Sequence, residues 1–217
     1  MPRILLMMTS RQTVPEEVAN AVSHGVGLLV AIGAAPYLLQ ESRHGGDPVE
    51  FTGVTVFAVT LILVYLASTL YHSVPFGRAK RVMRALDQGA IFLFVAGTYT
   101  PFALGVLRGG IGWSVLIVAW TLAAAALVML AAGLLRRAAV INALYLGMGW
   151  LGLLVLQPLW ERVPPSAIAL LVLGGICYTV GVGFLCAPRL KYRHFIWHLW
   201  VIAGTVSHFV AVLLYAH

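Results

Sequence analysis

Seven long apolar stretches dominate this sequence, and each is long enough to cross a lipid bilayer as an α-helix. The hydrocarbon core of a bilayer is about 30 Å thick, and a helix needs about 20 apolar residues to cross it. Because 61% of the residues are hydrophobic and only 10% are charged, an ordinary soluble domain is excluded. The predicted spans are Val18–Leu39, Phe51–Tyr71, Leu86–Leu107, Ile111–Leu135, Ala138–Leu156, Ser166–Cys186 and His194–Tyr215.

The connections between these stretches are short and polar, and none is long enough to separate two domains. We therefore predict an all-α membrane protein in which residues 16–217 form one bundle of seven transmembrane helices. Residues 1–15 are predicted to be a short cytoplasmic tail. The apolar run at residues 4–8 is too short for the core of a signal peptide, so we expect the first span to remain in the mature protein.

The distribution of lysine and arginine predicts how the bundle is oriented. With the N-terminus inside, eleven of the 14 basic residues lie on the cytoplasmic side, and three lie outside, namely Arg43, Arg108 and Arg162. Lys and Arg are enriched in cytoplasmic loops, so we predict a cytoplasmic N-terminus and an external C-terminus. The same clusters account for the net charge of +7, which therefore gives no support to nucleic-acid binding.

The two cysteines, Cys177 and Cys186, are nine residues apart in one predicted span. This spacing puts them on roughly opposite faces of a helix, which disfavours a disulfide or a cysteine-based metal site. We interpret both as small apolar packing residues.

Histidines at the start of the last span have the spacing of a metal-binding pair. His194 and His198 are four residues apart and lie on one face of a helix, one turn apart. A third histidine, His72, ends the second span, and Asp87 is predicted to open the third. The predicted orientation places all four at the cytoplasmic edge, which favours one joint Zn²⁺ site over two histidines that merely line a helix surface.

Zinc in a catalytic site takes three protein ligands and leaves one position open. His72, His194 and His198 would be those ligands, while Asp87 would either fill the fourth position or hold a water there. The alternative for Asp87 is an interfacial ion pair with Arg81 or Arg84.

Two further groups of polar residues lie near this edge. Ser68, one turn from His72, is placed to donate to a water, to a substrate oxygen, or only to its own helix backbone. In the first span Glu16, Asn20 and His24 form an i, i+4, i+8 stripe, which is either a second layer or gate around the metal site or a solvated helix end.

Two features deeper in the bundle have structural interpretations. His208 is ten residues beyond His198, about 15 Å deeper along a helix, and we expect a buried, hydrogen-bonded histidine there. The run 99–101 ends in a proline inside the third span, where we expect nearby hydroxyls to satisfy the freed carbonyl and the break to shape a cavity.

These motifs resemble the haemolysin III family, the bacterial branch of the progestin and adipoQ receptor family. The resemblance runs from about Glu16 to Tyr215 and is carried by three motifs in order: Glu16-Glu-Val-Ala-Asn20 with His24, Ser68-x3-His72 followed by Asp87, and His194-x3-His198. It implies a seven-helix protein of the bacterial inner (plasma) membrane with zinc near the cytoplasmic face. It also implies that the three histidines hold the metal, that Asp87 holds the zinc-bound water, and that Ser68 lies beside it.

The resemblance leaves several functions open. Relatives such as the adiponectin receptors and alkaline ceramidases are connected with the hydrolysis of lipid amides, which favours a zinc-dependent, ceramidase-like lipid amidohydrolase or esterase whose nucleophile is the zinc-bound water. A membrane lipid would then be the substrate or ligand. The alternatives are a non-enzymatic lipid sensor or regulator of membrane homeostasis with a structural zinc, and a cytolysin as the family name suggests.

Overall fold

The computed structural model describes residues 12–216, and in that range the helices are joined by short turns and there are no strands. The helices are α1 (Val14–His44), α2 (Pro48–Ser73), α3 (Arg78–Leu104), α4 (Gly110–Ala131), α5 (Ala138–Gly149), a 3-10 segment (Trp150–Val155), α6 (Leu156–Trp160), α7 (Pro165–Leu185) and α8 (Arg193–Tyr215). Most of the predicted tail, including the run at residues 4–8, lies outside the described residues. The first helix begins at Val14, two residues before the predicted boundary.

Side-chain caps define the starts of the first two helices. Thr13 accepts a hydrogen bond from the Glu16 backbone N–H, and the Glu16 carboxylate accepts from the Thr13 backbone N–H, which forms a capping box. Asp47 accepts from the backbone N–H groups of Val49 and Glu50 at the start of α2. These caps satisfy amide groups that the first turn of a helix leaves without backbone partners.

Six helical segments of the described chain are long and apolar enough to cross a membrane: α1, α2, α4, the continuous segment Ala138–Trp160, α7 and α8. The third helix is not among them, and it begins at Arg78, well before Leu86, where we predicted the third span to begin. Arg, Lys and Ala are good helix formers, so the helix continues through its charged first turns. Asp87 therefore lies well inside α3, and our prediction that it opens this helix was wrong.

The fifth span is interrupted where the chain changes from α-helix to 3-10 helix at Trp150. The Tyr99 hydroxyl of α3 lies 2.8 Å from the Met148 carbonyl oxygen, 2.7 Å from that of Gly149, and accepts from the Gly152 N–H at 2.9 Å. Tyr99 thus bonds backbone groups of a neighbouring segment, while the Thr100 hydroxyl bonds the Ala96 carbonyl of its own helix. The break lies in the fifth span, whereas Pro101 sits near the end of α3.

Packing of α1 and α2 against α3 and α8 positions the polar residues. The core between them contains Leu38, Phe57 and Val212, each at most 1% exposed. Glycines allow close approach, because a Cβ on Gly97 would lie 2.1 Å from the Thr60 hydroxyl. The start of α1, the end of α2 and the start of α8 consequently meet at one end of the bundle.

The two cysteines are free thiols, as predicted, but only Cys177 is buried. Cys186 is exposed at the end of α7, so its interpretation as a packing residue was wrong.

Candidate metal centre and cavity

Three histidines from two helices meet at one end of the bundle. The potential ligand atoms of His72 on α2 and of His194 and His198 on α8 all lie within 4.8 Å of one another. The Nε2 atoms of His72 and His194 are 3.2 Å apart. His72 and His198 are buried and His194 is half-buried, so the three imidazoles could hold one metal ion largely away from bulk water.

The second nitrogen of each buried ring is held by a neighbour on α1. The Glu17 carboxylate lies 2.7 Å from His72 Nδ1, and because a carboxylate accepts, Nδ1 carries the proton. The Ser23 hydroxyl donates to the Asn20 carbonyl at 2.9 Å, so its oxygen accepts from His198 Nδ1 at 3.0 Å. Nε2 of both rings therefore carries a lone pair, which is the tautomer in which Nε2 can bind a metal.

One of these lone pairs has no partner at all. The Nε2 atom of His198 is buried and makes no hydrogen bond to any described residue. A buried acceptor without a donor costs free energy unless something binds it. The donor set, three neutral imidazoles in a partly dry site, is one that suits zinc.

Glu17 also neutralises a buried lysine. Its Oε1 atom lies 2.8 Å from Lys80 Nζ, while Oε2 bonds His72. Lys80 is 7% exposed, and its ammonium group lies over the ring of Tyr71 at 4.7 Å. The carboxylate thus joins α1 to both α2 and α3 beside the histidine cluster.

His24, Ser68 and Asp87 form the inner wall of the site. The ring of His24 stacks on that of His198, with centroids 3.4 Å apart and planes within 9°. His24 Nδ1 lies 2.7 Å from the Ser68 hydroxyl, so Ser68 contacts another helix, whereas we had considered a bond to its own backbone. Asp87 is buried beside Ser68.

Asp87 stands next to the cluster but not within it. In residues 12–216 the group of mutually close ligand atoms contains only the three histidines. No ion pair joins Asp87 to Arg81 or Arg84 within 4.0 Å in this part of the chain. The structure therefore does not group the Asp87 carboxylate with the three histidines as a ligand of the same ion.

Of the predicted stripe on α1, Asn20 and His24 face the centre and Glu16 does not. Glu16 bonds Thr13 at the helix start and accepts from the Tyr192 N–H at 3.1 Å, ahead of α8. Asn20 is fully buried, and its side-chain nitrogen lies 3.5 Å from His72 Nδ1. The inward carboxylate is Glu17.

A cavity of about 180 Å³ extends from this inner wall into the bundle. Its lining begins at His24, Ser68 and Asp87 and continues through apolar and aromatic side chains of α3, the fifth span, α7 and α8 to Leu107 and Ile168. Cavities lined mostly by apolar side chains with a few polar groups are where proteins typically bind small ligands.

Comparison with known proteins identifies the family. The model of the family described as Haemolysin-III related matches residues 12–209. Hemolysin-3 from Bacillus cereus is 38% identical over 209 residues, covering 96% of this chain and 95% of the relative. This chain belongs to the haemolysin-III-related family. The resemblance seen in the sequence is therefore confirmed, and this haemolysin III protein is a multi-pass integral membrane protein.

Other relatives extend the match across bacteria and animals. The hemolysin-3 homolog of Bacillus subtilis (strain 168) is 37% identical over 203 residues, with 94% of this chain and 95% of the relative covered. Human monocyte to macrophage differentiation factor is 24% identical over 217 residues, with 95% and 87% covered. That factor is a distant relative within the progestin and adipoQ receptor family. No solved structure matches the chain.

Sequence reasoning on this haemolysin III protein missed Glu17, Ser23 and Lys80. Helix geometry could have identified Glu17, because positions i, i+3 and i+7 lie on one face of a helix, whereas positions i and i+8 are about 80° apart around the axis. Glu17, Asn20 and His24 have that spacing. Lys80 carried no signal of its own among the basic residues around it.

Proposed function

We propose that this haemolysin III protein is a zinc-dependent hydrolase of membrane lipid amides or esters. The observation that carries the proposal is the matched pair of tautomers at His72 and His198, each held through Nδ1 so that Nε2 carries a lone pair, in a cluster that includes His194. A histidine cluster that only packed would not need both rings in this tautomer. Bound zinc supplies a Lewis acid that polarises a carbonyl and makes a water more acidic.

Asp87 and Ser68 are the proposed catalytic residues. Asp87, which is buried, would accept a proton from the water that attacks the carbonyl carbon and return it to the leaving nitrogen or oxygen as the carbon–heteroatom bond breaks. Ser68 orients either the substrate carbonyl or the Asp87 carboxylate by donating its hydroxyl proton. It is itself held by His24, which also lines the cavity and whose Nε2 has no partner in the described structure.

The polar residues beside the histidines and the apolar lining of the cavity support a substrate with a polar head and a hydrocarbon chain. The chain would fill the apolar cavity and the scissile bond would lie between Asp87 and the histidines. Glu17, Asn20 and His24 form the proposed outer layer, and Glu16 steadies the start of α8 through Tyr192. We further propose seven spans in the bacterial inner membrane, N-terminus inside, which puts the metal at the cytoplasmic edge.

Metal analysis and lipid turnover on the same purified samples test this function. Wild type should contain one zinc per chain and release fatty acid from a lipid amide or ester in a lipid extract. His72→Ala and His198→Ala should lose both zinc and turnover. A fully metallated wild type that releases no product from any lipid amide or ester contradicts the hydrolase.

The second candidate is a non-enzymatic lipid sensor with a structural zinc. It is favoured by one observation, that the histidine cluster and its partners tie α1, α2 and α8 together at one end. Under this alternative, zinc removal lowers the melting temperature but no lipid is consumed. A haemolysis assay on the same preparation tests the cytolytic alternative suggested by the names of the Bacillus relatives.

A further inference from the structure

Two polar atoms without partners belong to two residues in ring contact that both line the cavity, away from the metal centre. The Tyr178 hydroxyl on α7 and His208 Nδ1 on α8 are both buried and make no hydrogen bond to any residue between 12 and 216. Their rings are in edge contact, with centroids 5.3 Å apart, and both side chains line the cavity. His208 was predicted to be a buried, hydrogen-bonded histidine, and only half of its hydrogen-bonding capacity is used.

The hydrogen bond that His208 does make determines what its free nitrogen can do. Its Nε2 lies 3.1 Å from the Leu171 carbonyl oxygen, and because a carbonyl only accepts, Nε2 carries the proton. In a neutral imidazole Nδ1 is then an acceptor without a donor. The Tyr178 O–H is a donor without an acceptor, so the pair offers one unused donor and one unused acceptor on adjacent rings.

Both rings are held in place by glycines on the facing helix. A Cβ on Gly174 would lie 2.2 Å from the His208 ring, and a Cβ on Gly204 would lie 2.5 Å from the Tyr178 ring. The two helices therefore carry reciprocal Gly-x3-aromatic pairs, Gly174 with Tyr178 and Gly204 with His208. Any side chain at either glycine would displace a ring, so the glycines allow both rings to pack where they line the cavity.

We propose that Tyr178 and His208 are a second binding site, which accepts a hydroxyl group carried on the acyl chain of the ligand. A hydroxyl accepts from Tyr178 and donates to His208 Nδ1, whereas a plain methylene leaves both atoms unsatisfied at a cost in free energy. His208 lies ten residues beyond His198, about 15 Å along α8, so the hydroxyl belongs far from the polar head. The inference shares with the proposed function only the premise that an acyl chain fills the cavity.

Equilibrium binding tests this site without using turnover. Metal-free wild type would be titrated with stearic, 2-hydroxystearic and 12-hydroxystearic acids, with displacement of a fluorescent fatty acid as the readout. We expect 12-hydroxystearic acid to bind about tenfold tighter than stearic acid, the worth of one to two buried hydrogen bonds. The 2-hydroxy acid should show no such gain, because its hydroxyl lies at the head.

Tyr178→Phe removes only the hydroxyl and should abolish the preference. The matched control is Tyr145→Phe, which also alters the cavity lining but whose hydroxyl already donates to the Gln88 carbonyl at 2.9 Å. The control should keep the preference. His208→Phe should lose the preference for 12-hydroxystearic acid, as Tyr178→Phe does. If His208→Phe does not fold, Tyr178→Phe alone tests the site.

Equal binding of stearic and 12-hydroxystearic acids by wild type would overturn the proposal and leave the pair satisfied by an ordered water only. A preference that survives in Tyr178→Phe would overturn it as well. Lipid turnover without a preference for the hydroxylated acid would support the proposed hydrolase and contradict only this site. A preference for the hydroxylated acid without turnover would support this site and contradict the hydrolase.

Discussion

His72 Nδ1 lies 2.7 Å from a carboxylate oxygen of Glu17, a residue 55 positions earlier in the chain. The other oxygen of the same carboxylate bonds Lys80 at 2.8 Å. One buried side chain thus sets the tautomer of a candidate zinc ligand and balances the charge of a lysine.

Glu17→Gln should weaken zinc binding by about 10- to 100-fold, because an amide orients His72 less well and does not raise its basicity. Zinc competition with a chromophoric chelator measures the effect. Glu16→Gln is the matched control, since Glu16 faces the helix cap and Tyr192. Similar zinc affinities for the two variants would contradict the role of Glu17.

Asp87→Asn should retain zinc but lose turnover by at least about 10²-fold, because an amide cannot accept the proton from water. Zinc content and product release would be measured on one preparation. Loss of zinc together with activity would instead make Asp87 a ligand. Full activity in Asp87→Asn would remove it from the mechanism.

Lys80→Met should destabilise the protein by about 3–5 kcal/mol, because it leaves a buried carboxylate without its cation. The double variant Glu17→Gln with Lys80→Met should recover part of that loss, since neither charge remains. Thermal unfolding in detergent measures both. Arg81→Gln, at an exposed neighbouring position, is the control and should change little. Additive effects of the two substitutions would contradict a direct pair.

The Asp47–Arg108 pair on the other end of the bundle should make stability fall in acid. Arg108 donates to the Asp47 carboxylate, and together with the Val49 N–H it lowers the pKa of that carboxyl. A lowered folded-state pKa contributes stability that is present above the unfolded pKa, about 3.9, and is lost as the pH falls below it.

Melting temperature against pH for Asp47→Asn, Arg108→Gln and the double variant checks this contribution. Each single variant should reduce the fall in melting temperature at acid pH, and the double variant should reduce it no further than the single variants do. Because Arg108 is about half exposed, the effect should be small and should shrink in high salt. An unchanged acid limb in both single variants would contradict the pair.

The sequence by itself determined that the chain is a membrane-spanning helical protein, because apolar stretches of bilayer length have one stable solution in lipid. It also determined the three candidate ligands, since imidazoles four residues apart share a helix face wherever that helix lies. His72 could be added because it ends an apolar stretch, and the charge distribution put that end on the same side of the membrane as His194 and His198.

Only the tertiary structure decided which nitrogen of each ring is free, because this depends on contacts between helices that are far apart in sequence. Glu17 and Ser23 meet the histidines only after α1 packs against α2 and α8. The charged start of α3 and the 3-10 break in the fifth span also escaped sequence reasoning. Local periodicity reports which face of a helix is apolar, but it does not report what stands opposite that face.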